Sequence, residues 1–438
     1  MSVVMKPSGV QWIGDIPENW VKDKLYRLTD FVSSGGTPTS TNPDYYEDGD
    51  IVWIQTGDLN DGYVSETSKK ITQYGLENSS AKTFDKGTLL MAMYGATIGK
   101  LGIMTVDAAT NQACCAMKYD TKTNTKFMYY IFLAMRTHLI NQSYGGGQPN
   151  ISQEVVKQQY LCFPKYSEQE FIANFLDKAT SQIDNAIKTK QTQLKTLEAL
   201  KKSIIHKAVT KGLDDSVAMK DSGIEWIGEI PEHWNVEKIK QKYDVISSNV
   251  DKKSYDDEIS VSLCNYTDVY YKDYITNDIE FMAATATDLE CKKFQLNIDD
   301  VIITKDSEDP HDIAVPALVK EIANKLLCGY HLSMIRSINS NSSGSYLFWC
   351  LKDSSIASQL HREATGITRW AIAKKHIKNS LIPMPPIEEQ NNICIFLEAE
   401  TEKINTLKSN VKNQINKLKE YKKSLIYEYV TGKKLVKE

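Results

Sequence analysis

The sequence has no two cysteines at CxxC spacing. Its eight cysteines (Cys114, Cys115, Cys162, Cys264, Cys291, Cys328, Cys350 and Cys394) are scattered. This excludes a zinc ribbon and a disulfide framework, and reduced thiols in the cytoplasm are the simplest account. No apolar run reaches the ~18 residues a membrane helix needs, and the N-terminus lacks a signal-peptide core, so a membrane role is not expected. Neither sign of charge dominates. With 52 Lys and Arg against 56 Asp and Glu the net charge is −4. A globally basic nucleic-acid binder is thereby excluded, but local basic faces are not. The seven histidines form no cluster with Cys, Asp or Glu that suggests a metal or a catalytic triad.

Three near-matches to catalytic or cofactor motifs also lack their essential parts. Asn42-Pro-Asp-Tyr45 has Asp44 where the flipped-base loop of amino-methyltransferases has a second proline, and no Gly-rich cofactor loop precedes it. It reads as an ordinary turn. Gly95-Ala-Thr-Ile-Gly-Lys-Leu101 has its glycines one residue too close for a phosphate loop, and Leu101 stands where Ser or Thr should hold magnesium. Glu290-Cys-Lys292 has the carboxylate-x-Lys spacing of nucleases without the upstream Pro-Asp. No self-contained catalytic site is expected.

Glycine and proline are absent from two long stretches, and there the organisation begins. Phe163–Lys211 and Met384–Gly432 align without a gap at an offset of 221. Pro164 falls on Pro385, Gln169 on Gln390, Phe175 on Phe396, Ile183 on Ile404 and Ser203 on Ser424. Each opens with a proline and an acidic-Gln pair and continues unbroken, which predicts a long helix. Apolar residues recur by threes and fours: Ile183, Ile187, Leu194, Leu197 and Ile204, with Lys190 and Lys201 between them, then Ile404, Leu407, Val411, Ile415, Leu418, Tyr421 and Leu425. This narrow stripe is a coiled-coil seam and predicts two helices packed on each other. About 40 helical residues make a rod of roughly 60 Å.

A second repeat precedes these helices. Lys6–Trp20 (KPSGVQWIGDIPENW) returns as Lys220–Trp234 (KDSGIEWIGEIPEHW) at an offset of 214. The chain is therefore two tandem halves, each a Trp-rich clasp, a globular domain and a long helix. The clasp is expected to tie the N-terminus to the far end of the chain, giving a pseudo-two-fold, circular arrangement. The boundaries read as 1–20, clasp; 21–150, first domain; 151–234, central region with helix and second clasp; 235–371, second domain; 372–438, C-terminal region. The fold class is α+β, with two mixed α/β domains in tandem separated by the helices. Strands are expected at Ile51–Gln55, Gly87–Tyr94, Ile259–Leu263 and Val301–Thr304, and helices at Phe127–Ile140 and from Ser345. Gly145–Asn150 is a loop, and Gly366–Trp370 takes its place in the second half.

The domains carry polar loops mixed with aromatics. Asn and Gln pair with adenine, Arg and Lys with guanine, and Ser, Thr and Lys suit phosphates. Such loops are more often plain surface, so composition alone does not identify a DNA reader. By that chemistry the residues that would contact DNA are Ser34, Thr37, Tyr94, Thr97, Lys100, Gln148 and Asn150 in the first domain. In the second they are Asn265, Thr267, Lys305, Ser307, Thr368 and Arg369.

The two clasps, the Pro-x-x-x-Glu-Gln helix starts and the Gly-Gly-Gly-Gln-Pro-Asn-Ile-Ser loop (145–152) together resemble the specificity subunit of type I restriction-modification systems. Gly87–Lys100, Ala109–Ala113, Val301–Ser307 and Gly329–Leu332 also match that family's wording, so the likeness covers essentially the whole chain. The resemblance implies two target-recognition domains, each reading one half of a bipartite, asymmetric site in double-stranded DNA. It implies that the two long helices form an antiparallel coiled coil that fixes the gap between half-sites. Two modification subunits, holding S-adenosylmethionine and methylating adenine N6, would dock on this chain. Restriction subunits using ATP and Mg2+ would join them to cleave. No cofactor is expected on this chain itself. A coiled-coil scaffold that binds only proteins is the alternative, and a free-standing methyltransferase is disfavoured by the missing motifs.

Overall fold

The structure, a computed structural model, describes residues 4–143, 149–322 and 325–436. It divides into two compact units, one of Met1–Gln191 with Asn413–Glu438 and one of Thr192–Lys412.

The first unit opens with a hairpin, Met5–Pro7 against Asp15–Pro17, and Val21–Lys24 then pairs with Tyr160–Phe163. A five-stranded sheet follows in the spatial order Thr29–Ser33, Cys114–Tyr119, Leu89–Ala92, Leu101–Met104, Gly62–Val64. A four-stranded sheet has the order Lys70–Ile71, Ile51–Ile54, Ala108–Thr110, Lys82–Phe84. All four residues of Leu89–Ala92 are buried, because the period of two divides them between two cores. Leu89 and Met91 join the core built on the helix Thr125–Asn141, while Leu90 and Ala92 join the core under the other sheet. An apolar run without polar alternation is what a strand buried on both faces requires.

The second unit repeats this frame. Its five-stranded order is Tyr243–Ser247, Leu332–Ser337, Val301–Thr304, Pro316–Val319, Tyr274–Ile275. Val301 and Ile303 face the helix Gly344–Lys352, and Ile302 faces the other core. Tyr346 is fully buried there, and its hydroxyl reaches the carbonyls of Val209 at 3.2 Å and Pro383 at 3.1 Å. Tyr346→Phe removes that donor and leaves buried carbonyls unpaired, so the unit should lose about 1–2 kcal/mol. A urea titration followed by amide hydrogen exchange in Gly344–Lys352 checks this.

The long helices run Tyr166–Lys211, 46 residues, and Ile387–Val430, 44 residues. The glutamine of each acidic-Gln pair is buried at the helix start. Gln169 donates to Pro164 O (2.9 Å) and accepts from Asn124 N (2.9 Å). Gln390 donates to Pro385 O (2.8 Å) and accepts from Ser343 N (3.0 Å). Each thus satisfies backbone groups at the junction of strand, loop and helix.

The clasps dock as the repeat predicts. Trp20 is fully buried, its indole donates to Glu168 at 3.1 Å, and its ring lies against Gly432 after the second long helix. Trp234, also fully buried, donates to Glu389 at 2.9 Å and lies against Gly212 after the first. Each tryptophan therefore joins the start of one long helix to the end of the other. Tyr427 Oη donates to Trp12 O at 3.1 Å, and Lys433 Nζ to Asp15 O at 2.7 Å, which places the N-terminal clasp on the chain's far end.

The seam of the second helix differs from the sequence reading. Leu407 and Tyr421 are 49% and 55% exposed. The strict three-four spacing through Ile404, Val411, Ile415, Leu418 and Leu425 places Lys408 and Lys422 in the seam instead. Their side chains are 23% and 29% exposed. Lys422 reaches Asp184 at 2.7 Å, and Lys408 pairs with Glu198. A lysine stem can line an apolar seam while its ammonium reaches the rim, so helical phase outweighed hydrophobicity at both positions.

Candidate nucleic-acid interface

The central strands of the two units end alike. In the first unit the residue after the central strand, Met93, accepts from Ile151 N at 2.8 Å, and Tyr94 bridges to Asn150. In the second, Lys305 O accepts from Ile372 N at 2.9 Å, Asp306 pairs with Ala371 and Ser307 with Trp370. The loop before each long helix is thereby sewn to the exit of the central strand. Asn111 N donates to Ile54 O, and Gly329 N to Cys264 O, in the same way. Tyr94 and Ala113 therefore correspond to Asp306 and His331, and by the sequence offset of 221 position 148 aligns with Arg369.

In the first unit the candidate residues fall into separate groups. Gln153 Nε2 donates to Ser34 Oγ at 2.9 Å, and Thr37 Oγ1 to Gln112 at 2.6 Å. Tyr94 and Asn150 share the bridge, with Asn150 exposed. Thr97 and Lys100 lie in a turn tied down by Arg136, which donates to Gly99 O at 2.8 Å and to both oxygens of Asp61 at 3.1 and 2.5 Å. Lys100 itself pairs with Asp61 at 3.3 Å. Gln148 and the glycines before it lie outside the described residues.

In the second unit the structure gathers Thr267, Ser307 and Arg369 at one cleft of about 330 Å³, with Tyr266, Tyr270, Tyr271 and Asp306 in its walls. Tyr266 and Tyr270 stack, centroids 5.4 Å apart and planes 15° from parallel, and Tyr266 Oη meets Ser307 Oγ at 3.1 Å. Asn265 caps the short helix Tyr266–Tyr270, its backbone N donating to Asp268 at 2.7 Å. Lys305 instead turns inward, donating to Ser248 O at 2.8 Å, and burial pushes its ammonium pKa down. Thr368 is exposed on the hairpin Thr365–Gly366/Trp370–Ala371.

Arg369 closes one side of the cleft. Its Nε and Nη2 donate to Asp306 Oδ1 at 3.1 and 2.6 Å. His331 Nδ1 meets the same oxygen at 2.5 Å, and Tyr330 covers the imidazole with ring centroids 3.6 Å apart. Burial pushes the His331 pKa down, against the pull of Asp306. Sequence reading did not single out Asp306, His331 or the tyrosines. Asp306 and His331 lie in the segments Val301–Ser307 and Gly329–Leu332, and the i, i+4 spacing of Tyr266 and Tyr270 was a local signal for that pair.

The rejected motifs have structural uses. Asn42 Oδ1 accepts from Asp44 N at 3.2 Å in a single turn, Pro43–Tyr45. Glu290 completes the capping box of the helix Asp288–Phe294. Among the described residues no group of three His, Cys, Asp or Glu could hold a metal ion, and no helix is long and apolar enough to cross a membrane.

A matched pair of grooves lies at the helix starts. In the first unit a groove of about 490 Å³ is lined by Glu168, Phe171, Ile172 and Leu435. In the second, one of about 270 Å³ is lined by Leu213, His233, Glu389 and Ile393. Glu168 and Ile172 correspond to Glu389 and Ile393 at the offset of 221.

Comparison with known proteins agrees with this architecture. The family model described as the type I restriction modification DNA specificity domain matches residues 17–198 and again 231–417. The chain is 23% identical over 431 residues to the type I restriction enzyme MjaVIII specificity subunit of Methanocaldococcus jannaschii, spanning 96% of this chain and 94% of that one. It is 24% identical over 438 residues to the MjaIX specificity subunit of the same organism, spanning 97% and 96%. Among solved structures, a chain from work on complex assembly and conformational transition of the type I R-M system superposes with a TM-score of 0.72 at 14% identity, covering 95% of this chain and 98% of that one. The HsdS subunit from Thermoanaerobacter tengcongensis gives 0.54 at 15% identity, covering 95% and 98%.

Proposed function

The chain belongs to the type I restriction-modification DNA specificity family, and from that premise we propose that its two units each read one half of a bipartite, asymmetric site in double-stranded DNA. The observation that carries this is the internal duplication. Two units share one frame, down to the hydrogen bonds at the central strand's exit, and differ in the side chains displayed there. A conserved frame with replaced display is what two readers of different sequences need. The contact residues fall within 21–150 and 235–371. Thr37, Asn150, Thr267, Thr368 and Arg369 are exposed, and we assign Ser34, Tyr94, Thr97, Lys100, Asn265 and Ser307 to the same role, with Gln148, which lies outside the described residues.

The long helices set the gap between half-sites and, with the clasps, dock two modification subunits. Two corresponding grooves, one in each unit, favour two copies of one partner. The chemistry resides on the partners. Modification subunits bring S-adenosylmethionine and methylate adenine N6, and restriction subunits bring ATP-driven cleavage, while this chain supplies sequence choice.

Exchange of residues 21–150 for the corresponding segment of a relative tests the two-reader scheme. Methylome sequencing should then show one half of the modified site changed and the other half and the gap retained. A change in both halves, or no sequence preference in a gel shift with modification subunits present, overturns it in favour of a protein-only scaffold.

A further inference from the structure

We infer that Asp306 is a positioning residue that holds the Arg369 guanidinium edge-on, so that the second unit reads a guanine rather than a phosphate. This rests on the reading of that unit as a DNA reader. A guanidinium has two edges that can make paired hydrogen bonds. Asp306 takes the Nε–Nη2 edge through a single oxygen. Nη2 also lies against the His331 ring, 3.0 Å from Nδ1 and 3.3 Å from Nε2, so the Nη1 side of the other edge is left to donate to O6 or N7 of guanine.

The support behind Arg369 is built in depth. Asp306 is only 15% exposed and is fixed by backbone pairing with Ala371 and by His331. Arg369 itself is 54% exposed, on a hairpin whose neighbouring Ile367 is 95% exposed. An exposed ion pair adds little to folding stability, so stability does not account for a half-enclosed acid aimed at a surface arginine. The pair is also near neutral as a whole, because Asp306 offsets the cation. It therefore adds little to sequence-independent attraction, which scales with net positive charge brought to the phosphates. What remains is the direction of its donors, and direction is what base reading requires. The apolar tip at Ile367 is suited to a groove floor carrying a thymine methyl.

The internal duplication gives an independent comparison. The frame of the first unit matches, yet Tyr94 and Ala113 stand at the places of Asp306 and His331, and by the sequence offset of 221 Gln148 aligns with Arg369. The first unit thus has neither the acid nor the histidine that holds Arg369 in the second.

The test uses the whole chain assembled with its modification subunits and S-adenosylmethionine, acting on duplexes randomised in the second half-site. The unaltered complex should demand guanine at one position there. Arg369→Ala, Arg369→Lys and Asp306→Asn should each relax that demand roughly tenfold or more. Preferences in the first half-site and the salt slope of binding should stay as they were. Asp306→Asn keeps the side-chain shape, and retained preferences at the other positions of the second half-site report that the second unit is folded. Asp306→Glu, which shifts the carboxylate by one methylene, should relax the same position. If Arg369→Ala relaxes the guanine but both Asp306 variants do not, the positioning role is overturned and the DNA reading stands. If Arg369→Ala weakens all sequences equally and flattens the salt slope, Arg369 is a phosphate contact and the inference falls. If it changes nothing, Arg369 is outside the interface, and the domain exchange above judges the proposed function separately.

Discussion

Trp20→Ala should cost the first unit about 3–5 kcal/mol, the range for emptying a fully buried aromatic site. The indole is at 0% exposure, and its edge meets the Phe127 ring, centroids 6.3 Å apart at 75°. Trp20 makes three connections, of which the first two depend on the indole. Its N–H holds Glu168 in the first turn of the first long helix at 3.1 Å. Its six-membered ring lies 3.3 Å from where a Cβ on Gly432 would stand, beyond the second long helix. Its backbone N closes the turn onto Pro17 O at 3.0 Å. No neighbour can fill the void without breaking one of these, so the cavity should stay largely open. Gly432 cannot supply the missing bulk either. Its φ is +71°, and an added Cβ would come within 2.3 Å of Pro17 Cδ. Trp20→Phe, which keeps most of the ring but not the N–H, should cost less than half as much. Urea titration with hydrogen exchange read at Met5–Lys24 and Leu425–Val436 provides the measurement. A loss below about 1 kcal/mol for Trp20→Ala would show that the clasp only covers the helix ends and does not hold them.

What could be read from the sequence, and what could not, follows from the range of the interactions. The duplication, the long helices and the clasp were legible because each is a repeated local pattern, such as the acidic-Gln pair whose glutamine bonds the preceding proline carbonyl in both copies. The buried central strands were legible as apolar runs bounded by turns. The seam was read correctly except at Leu407 and Tyr421. There an apolar residue adjoins the lysine that holds the proper phase, and hydropathy favours the wrong one of the two. Arg369 was legible as a polar residue in a loop. Its partners were not, because Asp306 lies 63 residues away and His331 lies 38 away, joined only by strand order. The same holds for Lys305. In sequence it looks like a free cation beside a strand, and only the fold shows it turned in to Ser248 O.

Lengthening both long helices by four residues should widen the gap in the modified site by about one or two base pairs and leave both half-site sequences unchanged. Each added residue contributes 1.5 Å, so four add about 6 Å, against roughly 3.4 Å per base pair. Four residues turn the helix by about 400°, so the seam is displaced by only about 40° and persists as a stutter. The insertions belong between Lys188 and Lys195 in the first helix and between Val411 and Leu418 in the second. Those segments face each other in the register set by Asp184 with Lys422, Glu198 with Lys408 and Lys201 with Asn405. In each of these pairs the residue numbers add to 606. An insertion in one helix alone would force a choice between the pairs on either side of it, so it should cost activity rather than widen the gap cleanly. Methylome sequencing of the doubly inserted variant reads the outcome directly. An active variant with an unchanged gap would mean that the docked modification subunits, and not the helix pair, determine how far apart the two half-sites lie.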